Sequence, residues 1–125
     1  MSILLHSVAN GIKPQEEFVW LMVGAKTSLK GYAVVDRTFD SAEKVSNEFR
    51  HIFIFPDIEV EKDDWVALCT GKGEYFTKKT QNGLAKIHFL YWQSDQCVWN
   101  DKGGDTASLI KYSFVNSVKV PAVKK

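Results

Sequence analysis

The stretch Cys97-Val98-Trp99-Asn100-Asp101-Lys102-Gly103-Gly104-Asp105-Thr106-Ala107-Ser108-Leu109-Ile110 decides the fold class. Val98 and Trp99 favour strands. Residues 100–105 hold nearly every residue type that tolerates a turn, and residues 106–112 run extended again. That order predicts strand, tight turn and strand, a hairpin. Gly103 and Gly104 can take positive φ without steric cost, and Asp105 can hydrogen-bond its own backbone just downstream.

The same rhythm extends upstream. Residues 3–9 alternate as a strand and stop at Asn10-Gly11. Residues 17–23 are almost continuously apolar, which predicts a central strand covered on both faces. Residues 29–36 predict a third strand, with Gly31 marking a bulge or a close backbone approach. A strand at 51–55 ends at Pro56. Ile58, Val60 and Lys62 then alternate with Asp57, Glu59 and Glu61, a pattern with one wet face. Strands follow at 65–70 and 85–92, with Gly71-Lys72-Gly73 as a hairpin turn and a polar loop over 77–83. Residues 117–123 predict a last strand. Only 39–49 breaks the pattern. Asp40 and Glu43 resemble a capping box, and Val45 and Phe49 fall on one helical face, so one short helix is expected near 41–48. Eight or nine short strands with at most one short helix spell an all-β sandwich.

The chain has 125 residues, the size of a single domain spanning 1–125, with four tryptophans among its apolar residues. A net charge of +1 favours neither a polyanion nor a membrane surface. No apolar run approaches the ~20 residues of a spanning helix. Residues 1–5 are too short for a signal peptide, so the cytoplasm is the expected location. Two cysteines do not make a disulfide scaffold, and both are expected as thiols.

With these elements in place, several segments resemble the lamin tail domain family. Val98-Trp99-Asn100 running into Gly104-Asp105-Thr106-Ala107-Ser108-Leu109 is similar to that family's Trp-Asn, Gly-Asp-Thr, Leu signature. Leu29-Lys30-Gly31-Tyr32-Ala33-Val34 resembles its Leu-x-Gly-Trp-x-Leu strand, with Tyr32 in place of Trp. Residues 18–23 stand where the family has its second strand. Phe55-Pro56 and residues 65–73 match the middle of the domain. The resemblance covers most of residues 1–115. It implies an immunoglobulin-like two-sheet sandwich, a stand-alone prokaryotic type of member, and a module without enzymatic chemistry or cofactor. It also implies structural roles for Gly31, Trp99, Asn100, Gly104, Asp105, Thr106 and Leu109.

Signals of chemistry are sparse. His6, His51 and His88 lie on three separate expected strands, with no spacing of the zinc-site kind. Asp57, Glu59, Glu61, Asp63 and Asp64 read as a solvated face rather than a calcium loop. No helix or Walker pattern follows Gly71-Lys72-Gly73. No serine or threonine sits in a nucleophile elbow. Trp20, Trp65, Phe89, Tyr91, Trp92 and Trp99 have the spacing of inward-facing strand positions and are expected mostly in the core, the other reading being stacking platforms. Lys72, Lys78 and Lys79 form the candidate partner-binding set, with Lys86 beside them. The expected function is a non-catalytic module that binds another protein. The alternative is binding of an anionic polymer such as nucleic acid through the lysine-rich loop.

Overall fold

The structure, a computed structural model, describes residues 2–39, 45–99 and 106–123, with side chains except at 37–39 and 45–50. Ten strands occur among them: β1 (Ile3–Ala9), β2 (Phe18–Val23), β3 (Thr27–Ser28), β4 (Tyr32–Phe39), β5 (Val45–Ile54), β6 (Glu59–Val60), β7 (Trp65–Cys69), β8 (Phe76–Lys79), β9 (Lys86–Tyr91) and β10 (Thr106–Lys111). A 3-10 turn at Pro14–Glu16 is the only helical element of the described residues. One sheet runs β1-β2-β7-β9-β8, a second runs β10-β4-β5, and β3 pairs with β6 alone. The β7–β9 pair is parallel and the other pairs are antiparallel.

Side-chain alternation joins the two larger sheets into a sandwich. Along β2, Val19, Leu21 and Val23 are buried while Met22 between them is 43% exposed. These residues meet Val66, Leu68 and Leu90 from the same sheet and Tyr32 and Val34 from the other in one apolar core. Each face that buries such a stripe must find another apolar face, which is what makes the two-layer arrangement stable. The all-β sandwich expected from the sequence is therefore present.

Two turns carry the strand connections at positions the sequence marks. Tyr32 N–H donates to the Leu29 carbonyl at 3.1 Å, closing a four-residue turn with Gly31 third. Its φ of +91° is the conformation that position requires in a type II turn. Gly31 thus sits in a turn before β4 rather than at a bulge within it. Asp64 N–H likewise closes onto the Glu61 carbonyl at 3.1 Å, and Asp63 takes φ +72° there. Asp tolerates that region better than most residues.

Several expectations are corrected. Residues 45–48, placed in a helix by their local pattern, belong to β5, and 40–44 lie outside the described residues. The helical signal is short-range, and the pairing of the ten-residue strand β5 with β4 overrides it. The central hairpin also fails. Val98 and Trp99 lie in no strand, and β10 pairs with β4, Leu109 facing Val34. Asn100, Gly104 and Asp105 are outside the described residues. Residues 77–79 of the expected polar loop belong to β8. The turn at 71–73 closes no hairpin, because β8 lies on the far side of β9. β2 is central but covered on one face only. Residues 117–123 form no strand, and their apolar side chains are exposed.

Candidate binding groove on the five-stranded sheet

The outer face of the five-stranded sheet is where the aromatic residues collect. Trp20 pairs with Ala67 across β2 and β7, Met22 with Trp65, and Trp65 with Ile87 across β7 and β9. Directly opposed residues share a face. Ala67 is small enough to leave room for the Trp20 indole, which meets Trp65 edge-on at 6.2 Å. On β1 the register slips between Leu5 and Ser7, so Ser7 pairs with Trp20. A bulge of this kind re-aims side chains. Here it sends both His6 and Ser7 toward the aromatic face, and the His6 ring lies edge-on to Trp65 at 5.2 Å.

These residues bound a groove of about 380 Å³ with a floor of Trp20, Trp65 and Ile87. His6 and Ser7 form one wall, and Thr80 and Gln81, just past β8, form the other. No carboxylate, lysine or arginine lines it. The floor can take an apolar side chain or ring out of water, and the hydroxyl, carboxamide and imidazole groups of the rim can hydrogen-bond its surroundings. The apolar surface continues past the groove, with Leu4 opposite Met22 at 54% and 43% exposure. Phe76 stacks on Phe89 at 4.6 Å toward the other edge.

The aromatic expectation is thus split. Trp99 is buried and Trp92 packs against the core, their rings 6.2 Å apart. Trp20, Trp65, Phe89 and Tyr91 instead share the outer face and are half-buried there. Alternation along one strand cannot say which of its two faces is covered.

The three candidate lysines are exposed but do not converge. Lys78 pairs with Ile87, so it shares the groove's face one strand beyond the floor. Lys79 pairs with Lys86 on the opposite face. Lys72 follows β7 at the far end of the sheet, where the Gln15 side chain accepts its N–H at 2.7 Å. The length of β7 separates it from the other two, roughly 15 Å at strand rise.

The histidines have separate partners. His51 Nδ1 lies 3.0 Å from the buried carboxylate of Asp36, its cross-strand neighbour. His88 Nε2 donates to Asp64 Oδ2 at 2.8 Å, since a carboxylate has no proton to give. The Tyr75 hydroxyl meets the other ring nitrogen at 2.8 Å. Asp64 also accepts the N–H groups of Glu61 and Lys86, each at 3.0 Å. Burial pushes the Asp64 carboxyl up, but those amides and the His88 ring outweigh it and leave its pKa lowered. Burial, with the Asp64 charge adding to it, raises the Tyr75 phenol. This Asp–His–Tyr chain has both imidazole nitrogens engaged and His88 only 4% exposed, so it braces the 61–64 turn against β9. Of the acidic run, Glu59 and Glu61 pair with Lys26 at the surface, whereas Asp64 is buried.

Glu17 is the residue that the sequence reading missed. It is fully buried, and its Oε1 accepts the N–H groups of Val98 at 2.9 Å and Trp99 at 3.5 Å. This carboxylate, rather than a hairpin ladder, fixes the segment that carries Trp99. A glutamate opening an otherwise apolar run was the available signal.

Fold and groove together define a β-sandwich with an aromatic-floored groove, free of carboxylates and lysines, on its outer face. No family model, curated protein or solved structure matches the chain.

Proposed function

We propose that this chain is a non-catalytic interaction module of lamin-tail type that binds a partner protein through the Trp20–Trp65 groove. The partner presents an extended segment and places one apolar side chain on the indole floor. The observation that carries this reading is the lining, which is apolar below, neutral and hydrogen-bonding at the rim, and free of formal carboxylate or ammonium charge. A surface of that chemistry gains from desolvating an apolar group and offers an anion no lysine or arginine. Burial of Trp99, the positive φ of Gly31 and the packing of Leu109 on the core support the lamin-tail part of the reading. The two thiols suit a reducing compartment such as the cytoplasm.

The rival is a polyanion, with Lys78 beside the groove as its best foothold. The test is selection from a phage-displayed peptide library on the purified chain, with Trp65→Ala as counter-target, alongside titration with mixed-sequence DNA and RNA. The proposal expects peptides with one apolar or aromatic anchor whose affinity changes little with salt and falls at least tenfold in Trp65→Ala. Failure to enrich such peptides, with nucleic-acid binding that weakens steeply with salt and vanishes on changing Lys72, Lys78 and Lys79 to Gln, would overturn it.

A further inference from the structure

We propose that residues 114–123 of one copy of this chain add as a strand along the free edge of β5 in a second copy. β5 ends the order β10-β4-β5, so one of its sides has no strand partner among the described residues. It is the longest strand, at ten residues, and its ladder to β4 is regular from His51 to Ile54. Ile52 and Ile54 stand 48% and 46% exposed beside that edge. The two edges of the five-stranded sheet are blunted as natural edges commonly are. β1 carries its bulge, and β8 is four residues long with two lysines.

The complementary element lies on the same chain. After Tyr112, whose N–H donates to the Gly31 carbonyl at 2.8 Å, the chain leaves the sandwich. Phe114, Val115, Val118, Val120 and Val123 are between 72% and 95% exposed. Drawn as a strand, this segment sets Phe114, Asn116, Val118 and Val120 on one side and Val115, Ser117, Lys119 and Val123 on the other. Val118 and Val120 then have the two-residue spacing of Ile52 and Ile54, so both pairs can face each other across an antiparallel ladder. Main-chain hydrogen bonds would satisfy the edge while the valines cover the isoleucines. In a single copy the segment departs from β10, across the sheet from β5, and both surfaces stay uncovered. A second copy supplies each with its partner.

The test uses two full-length variants and analytical ultracentrifugation. Val118→Lys/Val120→Lys disables the segment and keeps the edge, whereas Ile52→Lys/Ile54→Lys disables the edge and keeps the segment. The unaltered chain should self-associate with concentration. Each variant alone should dissociate at least tenfold more readily, and an equimolar mixture should form one-to-one pairs. Amide hydrogen exchange on the unaltered chain adds a readout independent of the variants, since protection of 114–120 and of the β5 edge should rise with concentration. A chain that stays monomeric, a segment protected in a monomer, or variants that associate alone as tightly as the parent would each overturn the proposal.

Discussion

The Glu17 carboxylate accepts the main-chain N–H of Val98 at 2.9 Å across a sequence separation of 81 residues. One buried side chain thereby ties the start of β2 to the segment that inserts Trp99 into the core. Removing it orphans two buried N–H groups, and an unsatisfied buried donor costs about 1–3 kcal/mol. Glu17→Ala should therefore lower unfolding free energy by at least ~2 kcal/mol in urea denaturation. Glu17→Gln keeps a carbonyl acceptor for Val98 and should cost less. Equal losses in the two variants would show that the hydrogen bonds contribute little.

Trp99 supplies the second prediction. It is 4% exposed and lies edge-on to Trp92 in the core. Trp99→Ala should cost ~3–5 kcal/mol, the range for truncating a large buried aromatic. Trp65→Ala removes a half-buried ring from the outer face and should cost clearly less. Thermal or urea unfolding of the two variants side by side measures the contrast. A Trp65 loss equal to the Trp99 loss would place the groove floor in the structural core.

The positions of Trp99 and Glu17 show where sequence reading reaches. Strand-forming residues and turn residues are local signals, so the β class and most strands could be read directly, whereas the sequence marks Gly31 as a special backbone position inside a strand and not as a turn. Pairing is not local. The run into Thr106 looks like a hairpin because its neighbours in sequence are β-formers, yet β10 finds β4 about seventy residues upstream. The same limit governs the groove. Trp20 and Trp65 are plain in the sequence, but their shared face follows from the β2–β7 register, and the His6 wall from a one-residue slip in β1. The lysines seemed a cluster because they are near in number, whereas β8 turns Lys78 and Lys79 to opposite faces.

The cysteines give a third prediction. Cys69 is 1% exposed; its burial raises the thiol pKa, and the nearby Glu17 charge adds to that. A protonated, buried thiol is a poor nucleophile. Cys97 is half-buried at the surface of the 11–12 segment. In native protein at neutral pH, Cys97 should react with a thiol reagent well before Cys69, and denatured, unreduced protein should yield two thiols. A mass lower by two hydrogens would contradict this.

The Asp64–His88–Tyr75 chain sets an acid limb to stability. The Asp64 carboxyl has its pKa lowered from 3.8 in the fold. A group that holds its proton less tightly when folded stabilises the fold above its unfolded pKa. That contribution is lost as pH falls through the folded value, and it is absent below both. Stability should therefore begin to fall near pH 4 and continue downward. Asp64→Asn should lower stability at neutral pH, because one carbonyl oxygen replaces two acceptors for Glu61, Lys86 and His88. It should also flatten the acid limb, since asparagine does not titrate there. Tyr75→Phe separates the two effects. It removes the hydroxyl partner of His88 but leaves the Asp64 amide bonds, so its acid limb should keep the parent slope. The raised phenol works in the opposite direction, adding stability below about pH 10 that is lost as pH rises toward its folded value. Urea midpoints from pH 2 to 11 for the parent and both variants measure both limbs. An acid slope unchanged in Asp64→Asn would assign the acid sensitivity to other carboxylates and remove Asp64 from the account.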